Sequence, residues 1–156
     1  MKNMFVYNTE IGKLAIVEDS RGICNIYFGE DNLSSEYIVK ETEIIKETIR
    51  QIRDYLLGKR KRFDLPLSIE KGTEFQKKVW NGLTQIPYGQ TRSYKEIAEM
   101  VNSPKAYRAV GMANNKNPIS IIIPCHRVIG SDGKLVGYGG GIHIKEKLLD
   151  LENRYK

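Results

Sequence analysis

A thiol and an imidazole stand side by side in the chain, at Cys125 and His126. They follow Pro124 and the apolar run 119–123, whose β-branched residues predict a buried strand. Cysteine is a good nucleophile only as the thiolate, so its ordinary pKa of about 8.5 requires a nearby base or positive charge. Because adjacent strand residues point to opposite faces, His126 would reach the thiol through a bridging water. The pair is a candidate nucleophile and base.

The other cysteine and histidine do not extend this pattern. Cys24 lies in a β-rich run with no base beside it, which is typical of a small buried hydrophobic residue. That reading is also the ordinary one for Cys125, and only its neighbours favour chemistry. The two cysteines form no CxxC pair, and with His126 and His143 they give no zinc-ligand spacing. We therefore expect no metal, no other cofactor and no disulfide.

Composition and charge indicate the kind of partner. The chain has 156 residues, 40% hydrophobic and 28% charged, with a formal net charge of +6. Residues 1–70 carry 11 basic and 12 acidic side chains, whereas residues 71–156 carry 14 and 7. A half with net charge +7 is typical of an anionic partner such as nucleic acid, or simply of a solvated basic surface. Since no apolar run approaches the roughly 20 residues of a membrane span, we expect a cytoplasmic protein without a membrane partner.

The N-terminal half reads as a small sheet with one helix. The runs 4–7, 13–17 and 23–28 predict three strands separated by turn signals. From Ile38 to Leu56, apolar or β-branched residues recur at alternating steps of four and three, which predicts a helix across the sheet that ends at Gly58. The basic run 59–62 precedes Pro66 and is interpreted as a solvated linker. We expect the first domain to span residues 1–70.

The second half, residues 71–156, reads as mainly helical. Thr73 to Gln76 and Ser93 to Glu96 match the capping-box pattern at two helix starts. Ser103 and Pro104 predict the start of a third helix that runs to about Asn114. The last two helices have the dimensions of a helix-turn-helix, and the later helix carries small residues at Ala106, Ala109, Gly111 and Ala113. Such a face suits close approach to DNA, and it equally suits close packing of two helices.

The motif Pro124-Cys125-His126-Arg127-Val128 resembles the active-site signature of the O6-alkylguanine-DNA alkyltransferases, also called methylated-DNA–protein-cysteine methyltransferases. Further matching segments occur in the family's order, and the resemblance covers residues 73–152. They are Phe75-Gln76 to Trp80, Ile86 to Gln90, Ser93-Tyr94, Arg108 to Gly111, Asn114 to Pro118, and Gly137 to Gly141. The implied fold is α+β: a small N-terminal antiparallel sheet-plus-helix domain with a ribonuclease H-like layout, then a mainly helical, winged-helix-like domain that carries the cysteine.

The resemblance implies direct-reversal repair. An alkyl group would move irreversibly from guanine O6, and also from thymine O4, to Cys125 after the nucleotide is flipped out of duplex DNA. His126 would be the base and Glu152 would orient its imidazole, with Glu146 as a nearby competitor for that role. Tyr94 would assist extrusion and hydrogen-bond the leaving guanine, while Arg108 would fill the vacated stack. The remaining implied DNA contacts are Ser93, at the start of the earlier helix of the pair, and Ala106, Ala109 and Gly111 in the later one.

The family also implies a substrate pocket. Asn117 would tie the recognition helix to the active-site segment, Tyr138 would wall the base, and backbone amides near Gly139 and Gly140 would reach the guanine oxygen. Pro124 and Val128 flank the thiol in the same pocket. Many relatives have a hydroxyl side chain where this chain has Gly139, so only the amide donor is carried over. A zinc site of some relatives is not carried over, because Cys24 has no partners.

Two other functions remain open on the sequence. A non-catalytic sensor of alkylated bases, like the related alkyltransferase-like proteins, would lack the acceptor that Cys125 supplies. A Cys-His hydrolase or peptidase would need an oxyanion hole and a cleft, but no arginine on a helix-turn-helix. The sequence favours a monomeric alkyltransferase that acts on duplex DNA containing O6-alkylguanine.

Overall fold

The first three strands form where their β-branched and aromatic residues predict them. A computed structural model describes residues 1–31 and 33–156. In it β1 (Asn3–Thr9), β2 (Gly12–Glu18) and β3 (Ile23–Phe28) pair antiparallel. A fourth short strand, β4 (Ile38–Val39), runs parallel to β1, so the sheet order is β3-β2-β1-β4. The chain divides into two units, Met1–Glu70 and Lys71–Lys156.

Helix α1 (Glu43–Leu56) starts later than its apolar stripe predicts. The prediction of a helix from Ile38 is wrong, because the Ile38 amide donates to the Lys2 carbonyl oxygen at 2.9 Å and joins the sheet edge. Thr42 instead occupies the N-cap position. The buried face of α1 packs against β1 and β2 and includes Ile45, Ile49, Ile52 and Tyr55. Gly58 ends the segment with a φ of 76°, as predicted.

The second unit is mainly helical. It contains α2 (Glu74–Leu83), α3 (Tyr94–Met100), α4 (Tyr107–Asn115) and α5 (Ile142–Tyr155). A two-stranded parallel sheet joins β5 (Arg92–Ser93) to β6 (Val128–Ile129). Both predicted capping boxes are present, at Thr73 and at Ser93. The α+β fold class predicted from the sequence is therefore confirmed. Within the described residues, no helix is both long and apolar enough to cross a membrane.

Helix α4 begins at Tyr107, with Ala106 as its N-cap, so the predicted cap at Ser103 is wrong. The Ala106 amide donates to the Ser103 carbonyl oxygen at 2.8 Å, which closes a separate turn before the helix. Asn102 has a φ of 59° and ends the segment after α3. Helix α4 packs against both α2 and α3, and the Trp80 indole fixes one of these contacts by donating to the Ala113 carbonyl oxygen at 2.8 Å.

The predicted strand 119–123 does not form. Ile121 has a φ of 76°, a left-handed conformation that a β-branched residue adopts at a cost of about 1–3 kcal/mol. The chain turns back there, since the Ile123 amide donates to the Ile119 carbonyl oxygen at 2.9 Å. The apolar run is buried as predicted, but as a tight turn that leads into a 3₁₀ turn at Cys125–Arg127.

Candidate active site and nucleic-acid interface

Cys125 begins the 3₁₀ turn and is 4% exposed. Burial raises the pKa of its thiol, while side-chain hydrogen bonds from Asn117 and Ser120 and the positive charge of Lys145 oppose that rise. The backbone is also held, because the Asn114 amide side chain donates to the Cys125 carbonyl oxygen at 3.3 Å. The thiol is thus protected from bulk solvent and sits among groups that stabilise its anion.

His126 and Glu152 meet as the sequence interpretation requires. Their side chains are buried, and His126 Nε2 lies 2.6 Å from Glu152 Oε2. Burial lowers the pKa of His126, Glu152 opposes this, and the charges of Arg127 and Lys145 lower it further, so the imidazole is neutral at neutral pH. An ionised carboxylate only accepts hydrogen bonds, so Nε2 donates to Glu152 and Nδ1 carries the basic lone pair. Glu146, the competing acid, is exposed on the same helix.

The Glu152 carboxylate is held in its ionised form. Burial alone would raise its pKa, but hydrogen bonds from His126 and Arg127 outweigh burial and lower the pKa to about 2. Arg127 donates through Nε at 2.8 Å and through Nη2 at 3.0 Å. The Gly89 amide donates to the same carboxylate at 3.0 Å. Glu152 therefore joins the loop before α3, the cysteine turn and helix α5.

A glycine-containing loop borders the cysteine, as predicted for residues 137–141. The Tyr94 hydroxyl donates to the Val136 carbonyl oxygen at 3.0 Å, and Lys145 Nζ donates to the same oxygen at 2.8 Å. The Tyr138 ring lies edge-on to the His126 ring, with 6.5 Å between centroids. Gly137 has a φ of 53°, a conformation that glycine adopts without strain. Two side chains thus fix the start of the loop that carries Tyr138.

The other predicted pocket residues divide by exposure. Gly139 is exposed and Gly140 is half-buried, so their amides lie near solvent. Pro124 and Val128 are buried, and Val128 pairs with Arg92 in the small sheet. Both residues are therefore as shielded from solvent as the thiol that they flank.

Asn117 organises the turn that precedes the cysteine. Its side-chain amide donates to the Ile123 carbonyl oxygen at 2.8 Å, and its side-chain oxygen accepts from the Ile119 amide at 3.0 Å. The two bonds close the loop around Ile121, whose backbone is strained. This places Asn117 between α4 and Cys125, the position that the family resemblance implies.

The predicted DNA-facing residues lie on the exposed side of α4 or at the start of α3. Arg108 and Ala109 are exposed, while Ala106 and Gly111 are partly buried. A Cβ added to Gly111 would lie 3.8 Å from the Tyr94 ring, an ordinary van der Waals contact, so this face of α4 lies beside that tyrosine. The Ser93 hydroxyl accepts the Glu96 amide at 3.1 Å and acts as the helix cap.

Three of the buried residues that hold the site were not assigned a role from the sequence: Arg127, Lys145 and Asn114. Lys145 is 0% exposed, and burial lowers its pKa to about 8. The sequence contained a signal for the burial of Lys145, because positions 145, 148 and 152 are spaced so that they lie on one face of a helix. That face is buried along its length. When a lysine and an acidic residue share one buried face of a helix, the lysine is a candidate for a buried position.

Cys24 differs from Cys125 in every respect that favours reaction. It is 6% exposed, its thiol donates to the Val17 carbonyl oxygen at 3.6 Å, and burial raises its pKa to about 11. Across residues 1–31 and 33–156, no group of three or more His, Cys, Asp or Glu side chains could hold a metal ion. Among the thiols, only Cys125 has a base and a buried cation in its surroundings.

Comparison with known proteins links both units to one family. The model of the DNA-binding domain of 6-O-methylguanine DNA methyltransferase matches residues 74–154. The model of the ribonuclease-like domain of the same protein matches residues 4–69. Together these two matches account for most of the chain.

Individual relatives agree with the family match. The chain is 49% identical over 150 residues to the methylated-DNA–protein-cysteine methyltransferase of Methanosarcina acetivorans, which covers 94% of this chain and 96% of that protein. It is 44% identical over 153 residues to the constitutive methylated-DNA–protein-cysteine methyltransferase of Bacillus subtilis, covering 92% and 91% of the two chains. The crystal structure of Mycobacterium tuberculosis OGT in complex with DNA has a TM-score of 0.92 and 41% identity, covering 98% of this chain and 94% of that one. The chain belongs to the 6-O-methylguanine DNA methyltransferase family.

Proposed function

We propose that this protein repairs alkylated DNA by direct reversal, moving the alkyl group from guanine O6 in duplex DNA to Cys125 in a single turnover. The observation that carries the proposal is the buried arrangement of Cys125 beside a neutral His126 whose Nε2 is bonded to ionised Glu152. This arrangement supplies a nucleophile, a base and the group that orients the base. The relatives named above support the same activity.

The proton leaves the thiol toward His126. Because His126 Nε2 donates to Glu152, Nδ1 is the nitrogen that accepts the thiol proton, through a bridging water. The thiolate sulfur then attacks the alkyl carbon, a sulfur–carbon bond forms, and the carbon–O6 bond breaks. The departing guanine takes up one proton, which balances the proton that Cys125 lost. The cysteine ends as a neutral thioether, so each molecule reacts once.

Exposed Arg108 is the proposed finger that occupies the stack after the nucleotide is flipped out. Flipping costs a few kcal/mol of stacking and pairing, and a side chain that fills the gap offsets part of this. Lys95 Nζ and Arg108 Cζ lie 5.8 and 6.0 Å from the Tyr107 ring centroid, which concentrates positive charge where α3 meets α4. The charge of this half favours the phosphate backbone.

Tyr94 is the proposed hydrogen-bond donor to the leaving guanine, and Tyr138 with the amides at Gly139 and Gly140 forms the base pocket. Tyr94 bonds to Val136, the residue just before the pocket loop. Binding of the base would therefore exchange this hydrogen bond for one to the purine. The same pocket chemistry extends to O4 of thymine, which presents an equivalent alkylated oxygen.

One Cys125 and one pocket suffice, so we propose a monomer that acts in the cytoplasm.

The test of this function is the mass of the Cys125 peptide after incubation with duplex DNA containing O6-methylguanine. We expect one added methyl group per molecule and no further turnover. Cys125→Ser should abolish transfer while lesion binding stays measurable, and Cys24→Ser is the matched control that should react like the unsubstituted protein. Continuous turnover, or loss of the lesion with unmodified Cys125, contradicts the proposal. Lesion binding without any transfer by the unsubstituted protein would favour the alkyl-base sensor.

Arg108→Ala tests the finger separately. We expect slower transfer from a duplex and little change with a single-stranded oligonucleotide, where no stack has to be opened. Lys105→Ala removes a similar exposed charge from the turn before α4 and serves as the control for general electrostatic attraction. Equal losses for the two variants on duplex DNA would refute the specific role of Arg108.

A further inference from the structure

Arg127 holds Glu152 and two other parts of the unit in place at once. Its Nε and Nη2 atoms donate to the two carboxylate oxygens of Glu152 at 2.8 and 3.0 Å. Its Nη1 atom donates to the Ile86 carbonyl oxygen at 2.8 Å, and its guanidinium lies 5.7 Å from the centroid of the Tyr88 ring. The side chain is 9% exposed. A planar fork with donors on separate nitrogens can bind both carboxylate oxygens and a distant carbonyl oxygen at once, whereas an ammonium group has its donors on a single nitrogen.

This position makes Arg127 a direct neighbour of the base system. The carboxylate that receives the Arg127 fork is the one that accepts from His126 Nε2 at 2.6 Å. One negative charge therefore lies between two potential positive charges. Glu152 favours a proton on His126, and the permanent charge of Arg127 opposes it. Without the guanidinium, the buried carboxylate would lose the positive charge that opposes its effect on His126.

Resting on the proposed function, we propose that Arg127 is a positioning residue for alkyl transfer: acting through Glu152, it fixes the His126 imidazole and keeps it in the neutral, proton-accepting form. The Cys125 thiol can lose its proton only to a neutral imidazole. Without the guanidinium, Glu152 would favour a proton on His126 more strongly, so less of the imidazole would be in its proton-accepting form at neutral pH. The guanidinium thus sets the pH range in which the cysteine reacts.

Other ionisable groups surround His126 and bear on the same equilibrium. Helix α5 contributes Lys145, whose positive charge also opposes a proton on the ring. The pocket loop contributes the Tyr138 ring at 6.5 Å. The cysteine turn contributes Cys125, whose thiol precedes the ring in sequence. Removal of Arg127 leaves these three groups in place, so the change in His126 isolates the effect of the guanidinium.

The experiment is an NMR pH titration of the full chain labelled with ¹³C-histidine, without DNA. The chain has two histidines, so His143, which is exposed, is an internal reference for His126. We expect Arg127→Met to raise the His126 midpoint by about one pH unit or more, since a neighbouring charge shifts a pKa by about 1–3 units. His143 should not move. The acid limb of the transfer rate against pH should shift upward by the same amount.

Two further variants separate charge from geometry. Arg127→Lys retains the charge but not the fork, so the His126 midpoint should stay near that of the unsubstituted protein while the transfer rate falls. The double variant Arg127→Met with Glu152→Gln removes both charges, so its His126 midpoint should be lower than that of Arg127→Met alone. Arg154→Met, an exposed substitution on α5, is the matched control and should leave the His126 midpoint unchanged.

An unchanged His126 midpoint in folded Arg127→Met overturns the inference, and so does an equal upward shift in Arg127→Lys. If Arg127→Met does not fold, the Arg127→Lys variant and the double variant decide between the same outcomes. The titration needs no substrate, so its result does not depend on alkyl transfer. Failure of the proposed function would instead appear as an unmodified Cys125 peptide in the unsubstituted protein.

Discussion

Glu152→Gln tests the energetic role of the buried carboxylate because it removes the charge and keeps the shape. In the folded protein burial raises the pKa of Glu152, but the hydrogen bonds from His126 and Arg127 dominate and lower it from 4.5 to about 2. A difference of about 2.5 units corresponds to about 3 kcal/mol of folding free energy at neutral pH, at about 1.4 kcal/mol per unit. We expect the substituted protein to lose about this much stability at pH 7.

The loss has a defined pH dependence. The folded state keeps Glu152 ionised down to a pH of about 2, whereas the unfolded chain protonates it near 4.5. The stabilisation from this group is therefore complete above the unfolded pKa and is lost as pH falls through the folded pKa. The difference between the unsubstituted protein and Glu152→Gln should be constant above about pH 5 and should shrink toward zero as pH approaches 2.

Urea unfolding followed by tryptophan fluorescence measures this difference. Trp80 is the single tryptophan and lies in the unit that contains Glu152, so the signal reports on that unit. Glu146→Gln, an exposed substitution on the same helix, is the control and should change stability by no more than about 0.5 kcal/mol. A Glu152→Gln loss that is independent of pH between 7 and 3 would refute the assignment of the stabilisation to the ionised carboxylate.

Three other substitutions test separate parts of the unit. Lys145→Met removes the cation that opposes the burial-induced rise in the Cys125 pKa, so we expect several-fold slower labelling of the Cys125 peptide by iodoacetamide at pH 7; an unchanged rate would exclude this role. Trp80→Phe removes the indole donor to the Ala113 carbonyl oxygen, which keeps its hydrogen bond from the Lys116 amide, and should cost about 0.5–1.5 kcal/mol in thermal unfolding followed by circular dichroism. Ser93→Ala removes the hydroxyl that caps α3 and should cost about 1 kcal/mol by the same measurement, whereas an unaltered melting curve would show that the cap contributes nothing.

Local patterns predicted the regular elements well because those elements are stabilised by local signals. The capping boxes at Thr73 and Ser93 satisfy amide donors within one helical turn, so four residues of sequence suffice to place each start. Strand β4 could not be found in this way. It is two residues long and exists because the Ile38 and Lys40 amides donate to the carbonyl oxygens of Lys2 and Met4, a pairing between residues distant in sequence. The same pairing explains why Ile38 lies outside the helix whose stripe it continues.

The turn before the cysteine could not be predicted for a different reason. Residues 119–123 are rich in β-branched side chains, and burial agrees with that pattern. The left-handed conformation of Ile121 runs against the preference of its side chain, and it is held by the two hydrogen bonds of Asn117. Tertiary contacts therefore override local preference at the segment that delivers the thiol. Strain at such a position is common near functional sites.

The sequence identified the residues proposed to carry the reaction, whereas it gave no role to the buried cations Arg127 and Lys145. Glu152 and Arg127 neutralise each other, which leaves the buried Lys145 as one uncompensated positive charge near Cys125. Ionisation of Cys125 places a negative charge near this cation, while the proton moves to His126 and the net charge of the site is unchanged. Alkyl transfer then converts the thiolate into a neutral thioether and removes that charge again. Lys145 therefore favours the anion that attacks over the neutral thioether, because a counter-charge beside a buried cation stabilises both.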